Sequence, residues 1–165
     1  MSKPFNILVL CTGNSARSIL AEALFNTLGA GRFQAYSAGS HPTGSVNPFA
    51  LEQLRTLGYP VDDLRSKSWD EFAQPGAPPM DFIVTVCDNA AGEVCPLWPG
   101  HPITAHWGFP DPASVSGSDD ERRAAFAQTL RQIRNRVQLF ISLPLETLDR
   151  MAIESRMQAI GKEPL

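Results

Sequence analysis

The chain has 165 residues, 43% hydrophobic and 19% charged, with a formal net charge of −3. That length suits one domain around a single core, and without a basic run nothing points to nucleic acid or an acidic membrane surface as partner. The most apolar N-terminal stretch, Phe5 to Leu10, is too short for a signal-peptide core or a membrane span, so a soluble, cytoplasmic protein is expected.

Phe5 to Leu10 reads as a short buried strand. From Ala16 to Leu28, Ile19, Leu20, Ala23, Leu24, Thr27 and Leu28 fall near one helical face, and Gly29 ends the helix. Arg32 to Ser37 suits a second strand, followed by a turn-rich stretch from Ala38 to Asn47. Pro48 opens a helix that runs to Leu57 and stops at Gly58. Ser68 to Phe72 reads as a helical turn, Asp81 to Val86 as another buried strand and Ile103 to Trp107 as a fourth. Acidic residues open a long helix from Asp119 to Leu143.

Strands alternating with helices imply an α/β fold, a four-stranded parallel doubly wound sheet with flanking helices. Residues 1–143 are expected to form this domain. Residues 144–165 read as a C-terminal helical extension, apolar at Leu145, Leu148, Met151, Ala152 and Met157, that packs on the domain or on a second subunit.

Chemistry concentrates in the loop after the first strand: Cys11, Thr12, Gly13, Asn14, Ser15, Ala16, Arg17 and Ser18. A loop entering a helix N-terminus aims several backbone N–H groups at one spot, where the helix dipole adds positive character. Arg17 adds a planar fork of donors suited to two oxygens of a phosphate-like ion. Gly13 permits backbone geometry that other residues resist, and Asn14 tolerates a left-handed conformation. The same field is expected to acidify the Cys11 thiol, with the hydroxyls of Ser15 and Ser18 as donors to the sulfur. Neither a Gly-x-Gly-x-x-Gly pattern nor a Gly-Lys-Ser/Thr occurs here, which argues against a nucleotide site.

A second motif is His106-Trp107-Gly108-Phe109-Pro110-Asp111-Pro112. A carboxyl group between two prolines lies on a stiffened loop, and leaning over the cradle Asp111 would serve, protonated, as general acid.

Three cysteines make an odd count, so a disulfide framework is not expected and reactive thiols or metal ligation remain. There is no Cys-x2-Cys pair and the three histidines lack finger-like spacing, which argues against zinc. Cys87 follows the strand 81–86; if that strand neighbours the first, both cysteines sit at carboxyl ends of parallel strands, the edge where ligands bind in such sheets. Cys95 lies eight positions further on. Across an intact helix their Cα atoms would stand about 12 Å apart, against the roughly 4.4–6.8 Å that a disulfide needs. Either the two never pair or segment 88–94, a weak helix with Gly92 inside and Pro96 beyond, changes shape when they do.

Cys11 to Ser18 resembles the phosphate-binding loop of low-molecular-weight protein tyrosine phosphatases, and Asp111-Pro112 resembles that fold's general-acid motif. Val86-Cys87, Cys95-Pro96 and His106-Trp107-Gly108-Phe109 together resemble the thioredoxin-coupled arsenate reductases built on the phosphatase fold, over residues 5 to about 141. The resemblance implies Cys11, Arg17, Cys87, Cys95 and Asp111 as catalytic residues. It further implies an oxyanion held by the loop, arsenate as substrate with phosphate or sulfate as mimics, and a disulfide that passes from Cys11–Cys87 to Cys87–Cys95. No bound cofactor is implied; the reductant is an external dithiol, thioredoxin, with glutaredoxin and glutathione as the alternative. Some family members bind potassium through an Asn, a Glu, a Ser and an Asp. Asn14, Glu22 and Ser37 match three of these positions, but the fourth falls at Trp69, with Asp70 beside it.

Three functions remain open on the sequence: arsenate reductase, phosphatase acting through a Cys11 phosphoenzyme, and a non-enzymatic redox or oxyanion sensor. The residues after Asp111-Pro112 are Ala113 and Ser114, not the aromatic residues that phosphatases of this fold tend to carry for phosphotyrosine.

Overall fold

The computed structural model describes residues 3–87 and 101–165. Four parallel strands form one sheet: β1 (Phe5–Leu10), β2 (Phe33–Ala38), β3 (Phe82–Thr85) and β4 (Ile103–His106), in the order β2-β1-β3-β4. The expected α/β architecture is observed, with β1 and β3 adjacent and Leu10 level with Thr85. Central β1 carries apolar residues on both faces because both faces are covered.

One face packs against α1 (Arg17–Leu28), α2 (Pro48–Thr56), α3 (Asp119–Ile141) and α4 (Arg150–Ile160), with Ile7, Val9, Leu20, Leu24, Phe126 and Phe140 in a shared core. The opposite face, Leu8, Leu10 and Ile83, is covered by Met80 and by Trp69 and Phe72 of a 3-10 turn. The helix boundaries follow local chemistry. Pro48 stands at the first turn of α2 with the Asn47 side chain accepting from Phe49 N, and Ser118 and Glu121 form a capping box at the start of α3.

The C-terminal helix departs from the sequence expectation. It begins at Arg150, because Pro144 to Asp149 turn and the Asp149 side chain caps Ala152 N. Its buried face is Ile153, Met157 and Ile160, whereas Met151 is 84% exposed. That face lies on the domain's own core, and Trp107 Nε1 donates to Met157 O across 2.9 Å.

Candidate active site

The end of β1 and the start of α1 suspend the loop between them. Cys11 N still donates to Ala38 O (3.2 Å) as the last ladder bond, and α1 begins at Arg17 with Ala16 at the N-cap and no side-chain cap. The loop carbonyls are engaged by surrounding segments. Thr12 O accepts from His41 N, Gly13 O from Thr43 N and Ser15 O from Asn47 N. A trans peptide holds its C=O and the following N–H on opposite sides, so the N–H groups of Gly13, Asn14 and Ala16 turn away from those partners. Together with an uncapped helix N-terminus they make the donor array of an anion cradle.

The left-handed residue of the loop is Asn14, at φ 45°, and not Gly13. Asn14 sustains that conformation because its amide is fully engaged. Nδ2 donates to Ser18 Oγ (2.8 Å) and Ser37 Oγ (3.0 Å), and Oδ1 accepts from Lys67 N (2.9 Å). Asn14, Ser18 and Ser37 are all fully buried. Ser18 is thereby tied into a network beneath the loop. The network continues downward: Ser37 Oγ donates to Glu22 Oε1 (2.5 Å), and Lys67 Nζ stands 3.8 Å from the same oxygen.

Cys11 and Cys87 are both buried at neighbouring strand ends and hydrogen-bonded to each other. Thr12 N donates to Cys87 Sγ (3.3 Å), and Thr12 Oγ1 is 3.6 Å from it. The expected acidification of Cys11 is not found in this state. The bond to Cys87 and burial push the Cys11 thiol far up, outweighing the Arg17 guanidinium and the Gly13 N–H, which pull it down. A proton shared between two sulfurs is harder to remove than one on a lone thiol beside a cation. Cys95 and the segment 88–94 lie outside the described residues.

Asp111 sits on the loop after β4. Its Oδ1 accepts from Ala113 N (3.0 Å), starting a 3-10 turn at Pro112, and its Oδ2 is 3.8 Å from Arg17 Nη2. Arg17 Nη1 donates to Phe109 O (2.9 Å), so one guanidinium spans the cradle and the acid loop. That loop has a second arginine beneath it. Arg136 Nη1 donates to Gly108 O, Nη2 to Glu163 O, and the guanidinium lies 4.8 Å from the Phe109 ring centroid.

The structure therefore gathers the Cys11 loop, Arg17, Cys87 and Asp111 at one edge of the sheet. Sequence reasoning missed Lys67 and Arg136. Arg136 left a trace, a charge inside the apolar stripe of Ile133, Val137 and Phe140; Lys67, between two serines in an irregular stretch, left none.

A cysteine loop running from a central parallel strand into an uncapped helix, with an arginine at that helix's first position, defines a phosphatase-type oxyanion fold. The chain belongs to the low molecular weight phosphotyrosine protein phosphatase family, whose model matches residues 6–153. Within it, an arsenate reductase of Halalkalibacterium halodurans is 37% identical over 81% of this chain and 93% of the relative. Among solved structures, the arsenate reductase of Archaeoglobus fulgidus matches with TM-score 0.58 and 27% identity, over 80% of this chain and 98% of that one. A thioredoxin-dependent arsenate reductase of Corynebacterium glutamicum shares the fold at TM-score 0.55 and 23% identity, over 84% and 65% of the two chains.

Proposed function

We propose that this chain reduces arsenate to arsenite, a detoxifying reaction, by a relay through Cys11, Cys87 and Cys95. The observation that carries the reading is the hydrogen-bonded pair Cys11 and Cys87 at adjoining strand ends, beside the cradle and Arg17. A phosphatase needs one thiol there; a second sulfur within hydrogen-bond reach suits thiol–disulfide chemistry. The kinship with arsenate reductases supports the same choice.

In this reading an arriving arsenate takes up the N–H groups and the Arg17 fork, and Cys11 passes its proton to an arsenate oxygen. The thiolate forms a sulfur–arsenic bond, while one arsenate oxygen leaves as water with a proton from Asp111. Cys87 thiolate then attacks Cys11 Sγ. The sulfur–arsenic bond breaks, its electron pair stays on arsenic, and arsenite departs as the Cys11–Cys87 disulfide forms. Cys95 attacks Cys87 Sγ and frees Cys11 as thiolate. An external dithiol, taken to be thioredoxin as in the Corynebacterium protein, reduces the Cys87–Cys95 bond.

Arsenite release with thioredoxin, thioredoxin reductase and NADPH tests the proposal. Cys87→Ser is expected to abolish turnover, and the oxidised wild-type protein should yield a Cys87–Cys95 peptide. Turnover that survives Cys87→Ser sinks the relay, and a glutathione adduct points to glutaredoxin instead. The second reading, hydrolysis of a phosphate ester through Cys11, is favoured by the family itself, since arsenate and phosphate share shape and charge. Efficient hydrolysis of p-nitrophenyl phosphate, indifferent to Cys87→Ser, would establish it.

A further inference from the structure

Potassium, which some members of the resembled family bind, finds a poor fit beneath the loop. Three matched residues do converge, but their oxygens are already used. Asn14 Oδ1 accepts from Lys67 N, and Asn14 presents its Nδ2 donors to Ser18 and Ser37. Ser37 Oγ donates to Glu22 Oε1. The position of the fourth ligand holds Trp69, an apolar ring packed with Leu8 and Leu10. One carboxylate is left, that of Glu22, and it already faces a cation.

That cation is Lys67. Its side chain is 7% exposed and that of Glu22 12%, with Nζ at 3.8 Å from Oε1. Nζ also donates to Arg65 O (2.8 Å). The neighbouring charges cancel among themselves: Arg65 Nη2 meets Glu71 Oε1 at 2.6 Å and Nη1 meets Oε2 at 3.0 Å. Glu22 and Lys67 are thus a closed pair of unit charges. A metal ion placed there would set two buried positive charges against one negative, which desolvation strongly disfavours. Burial alone raises Glu22 and lowers Lys67 from their ordinary values, and each group opposes the other's shift.

Lys67 also reaches the loop by its backbone. Its N–H fixes Asn14 Oδ1, and its carbonyl accepts from Gly39 N at the end of β2. Backbone and ammonium therefore brace the same left-handed residue, the first directly and the second through Glu22 and Ser37.

We propose that the Lys67 ammonium is the resident cation beneath the Cys11 loop, and that this protein holds its oxyanion site in shape without an alkali-metal ion. Lys67 is a positioning residue; it touches neither substrate nor sulfur. The inference rests on the loop being an oxyanion site, and reduction of arsenate is not needed to test it.

The experiment is phosphate binding by calorimetry, with melting temperature in parallel, in KCl and in choline chloride at equal ionic strength. Wild-type affinity and melting temperature should be the same in both salts. Lys67→Ala should weaken phosphate binding in choline by about tenfold, because Glu22 is left buried and unpaired. Potassium or methylammonium should restore both affinity and melting temperature in that variant. A wild-type protein that binds phosphate several-fold tighter in potassium overturns the proposal. So does a Lys67→Ala protein with unchanged affinity, or one whose loss neither cation repairs. Should Lys67→Ala not fold in choline, recovery of the fold in potassium or methylammonium supports the proposal, and failure in both overturns it. A protein that binds phosphate as described yet fails to reduce arsenate would refute the proposed reaction and leave this inference standing.

Discussion

Beneath the Cys11 loop the contacts are side-chain hydrogen bonds among buried residues 14–67, whereas the Asp111 loop hangs mainly from α3 and α4, elements that follow it in the chain, with Arg17 of α1 tying it to the cradle. Asn14, Ser18 and Ser37 are shut off from solvent; the Asp111 side chain is 43% exposed. The loop before Asp111 is gripped by Arg136, by Trp107 on Met157 O, and by Arg17 on Phe109 O. One region is rigid by local closure and the other by attachment to the far end of the molecule. Damage beneath the Cys11 loop should therefore cost anion affinity and turnover together. Damage to the Asp111 supports should cost turnover alone.

The sharpest break is Gly39→Ala. A Cβ there would meet Thr12 O at 2.4 Å and Cys11 O at 2.5 Å, both backbone atoms. Bonds to Lys67 O and from Trp69 N pin Gly39 itself, so the loop must yield. Displacing reacting groups by an ångström costs about a hundredfold, and phosphate affinity and arsenite release should both fall by at least that much. Calorimetry and a steady-state assay measure the two. Intact phosphate binding would mean that the loop is not rigid.

Asp111→Asn removes the proton donor and leaves the cradle. Turnover should drop by about a hundredfold, the ordinary worth of a general acid. Phosphate affinity should hold or improve, since a carboxylate 3.8 Å from Arg17 no longer competes with the anion. Parallel losses of both quantities would place Asp111 among the binding groups and dissolve the distinction.

Arg136→Met strips donors from Gly108 O and Glu163 O and the cation from the Phe109 ring. A loss of about 2 kcal/mol in urea unfolding is expected, from carbonyls left without their partners. Turnover should fall by about tenfold as the acid loop loosens, less than for removing the acid itself. A twofold or greater change in phosphate affinity would contradict attachment as the only role.

The same divide governs what can be read without a structure. Strands β1 and β3 are short, mostly apolar runs, and a Cys-to-Arg loop between strand and helix is its own chemistry, so both are legible. Cys11 and Cys87 become neighbours only through the strand order, which right-handed crossovers make economical but do not spell out. The high Cys11 pKa is invisible in a loop read alone, because its largest cause is a thiol 76 residues away. Lys67 and Arg136 act by burial of a charge; Arg136 is marked by its place within the apolar stripe of α3, whereas Lys67 carries no period or motif that separates it from a solvated side chain. Met151 misleads in the opposite sense: apolar and in register by eye, it faces water once Asp149 sets where α4 begins.

The smallest effect is expected at Gly161, the counterpart of Gly39 on the other loop. A Cβ on Gly161 would stand 2.3 Å from His106 O and 2.8 Å from Trp107 Cδ1, as close an approach as beneath Cys11. The consequences differ because the freedom to retreat differs. Gly161 is the C-cap of α4 and is not held between two segments as Gly39 is, so the helix end can back away from β4. Retreat carries Glu163 off Arg136 and slackens the grip on Trp107 without touching Asn14. Gly161→Ala should cost about 1–3 kcal/mol in urea unfolding, the usual range for overpacking. Turnover should fall by a few-fold, and phosphate affinity should not move. Equal losses from Gly39→Ala and Gly161→Ala, in both affinity and rate, would mean that the two loops share one support and that the C-terminal helix braces the nucleophile as firmly as the acid.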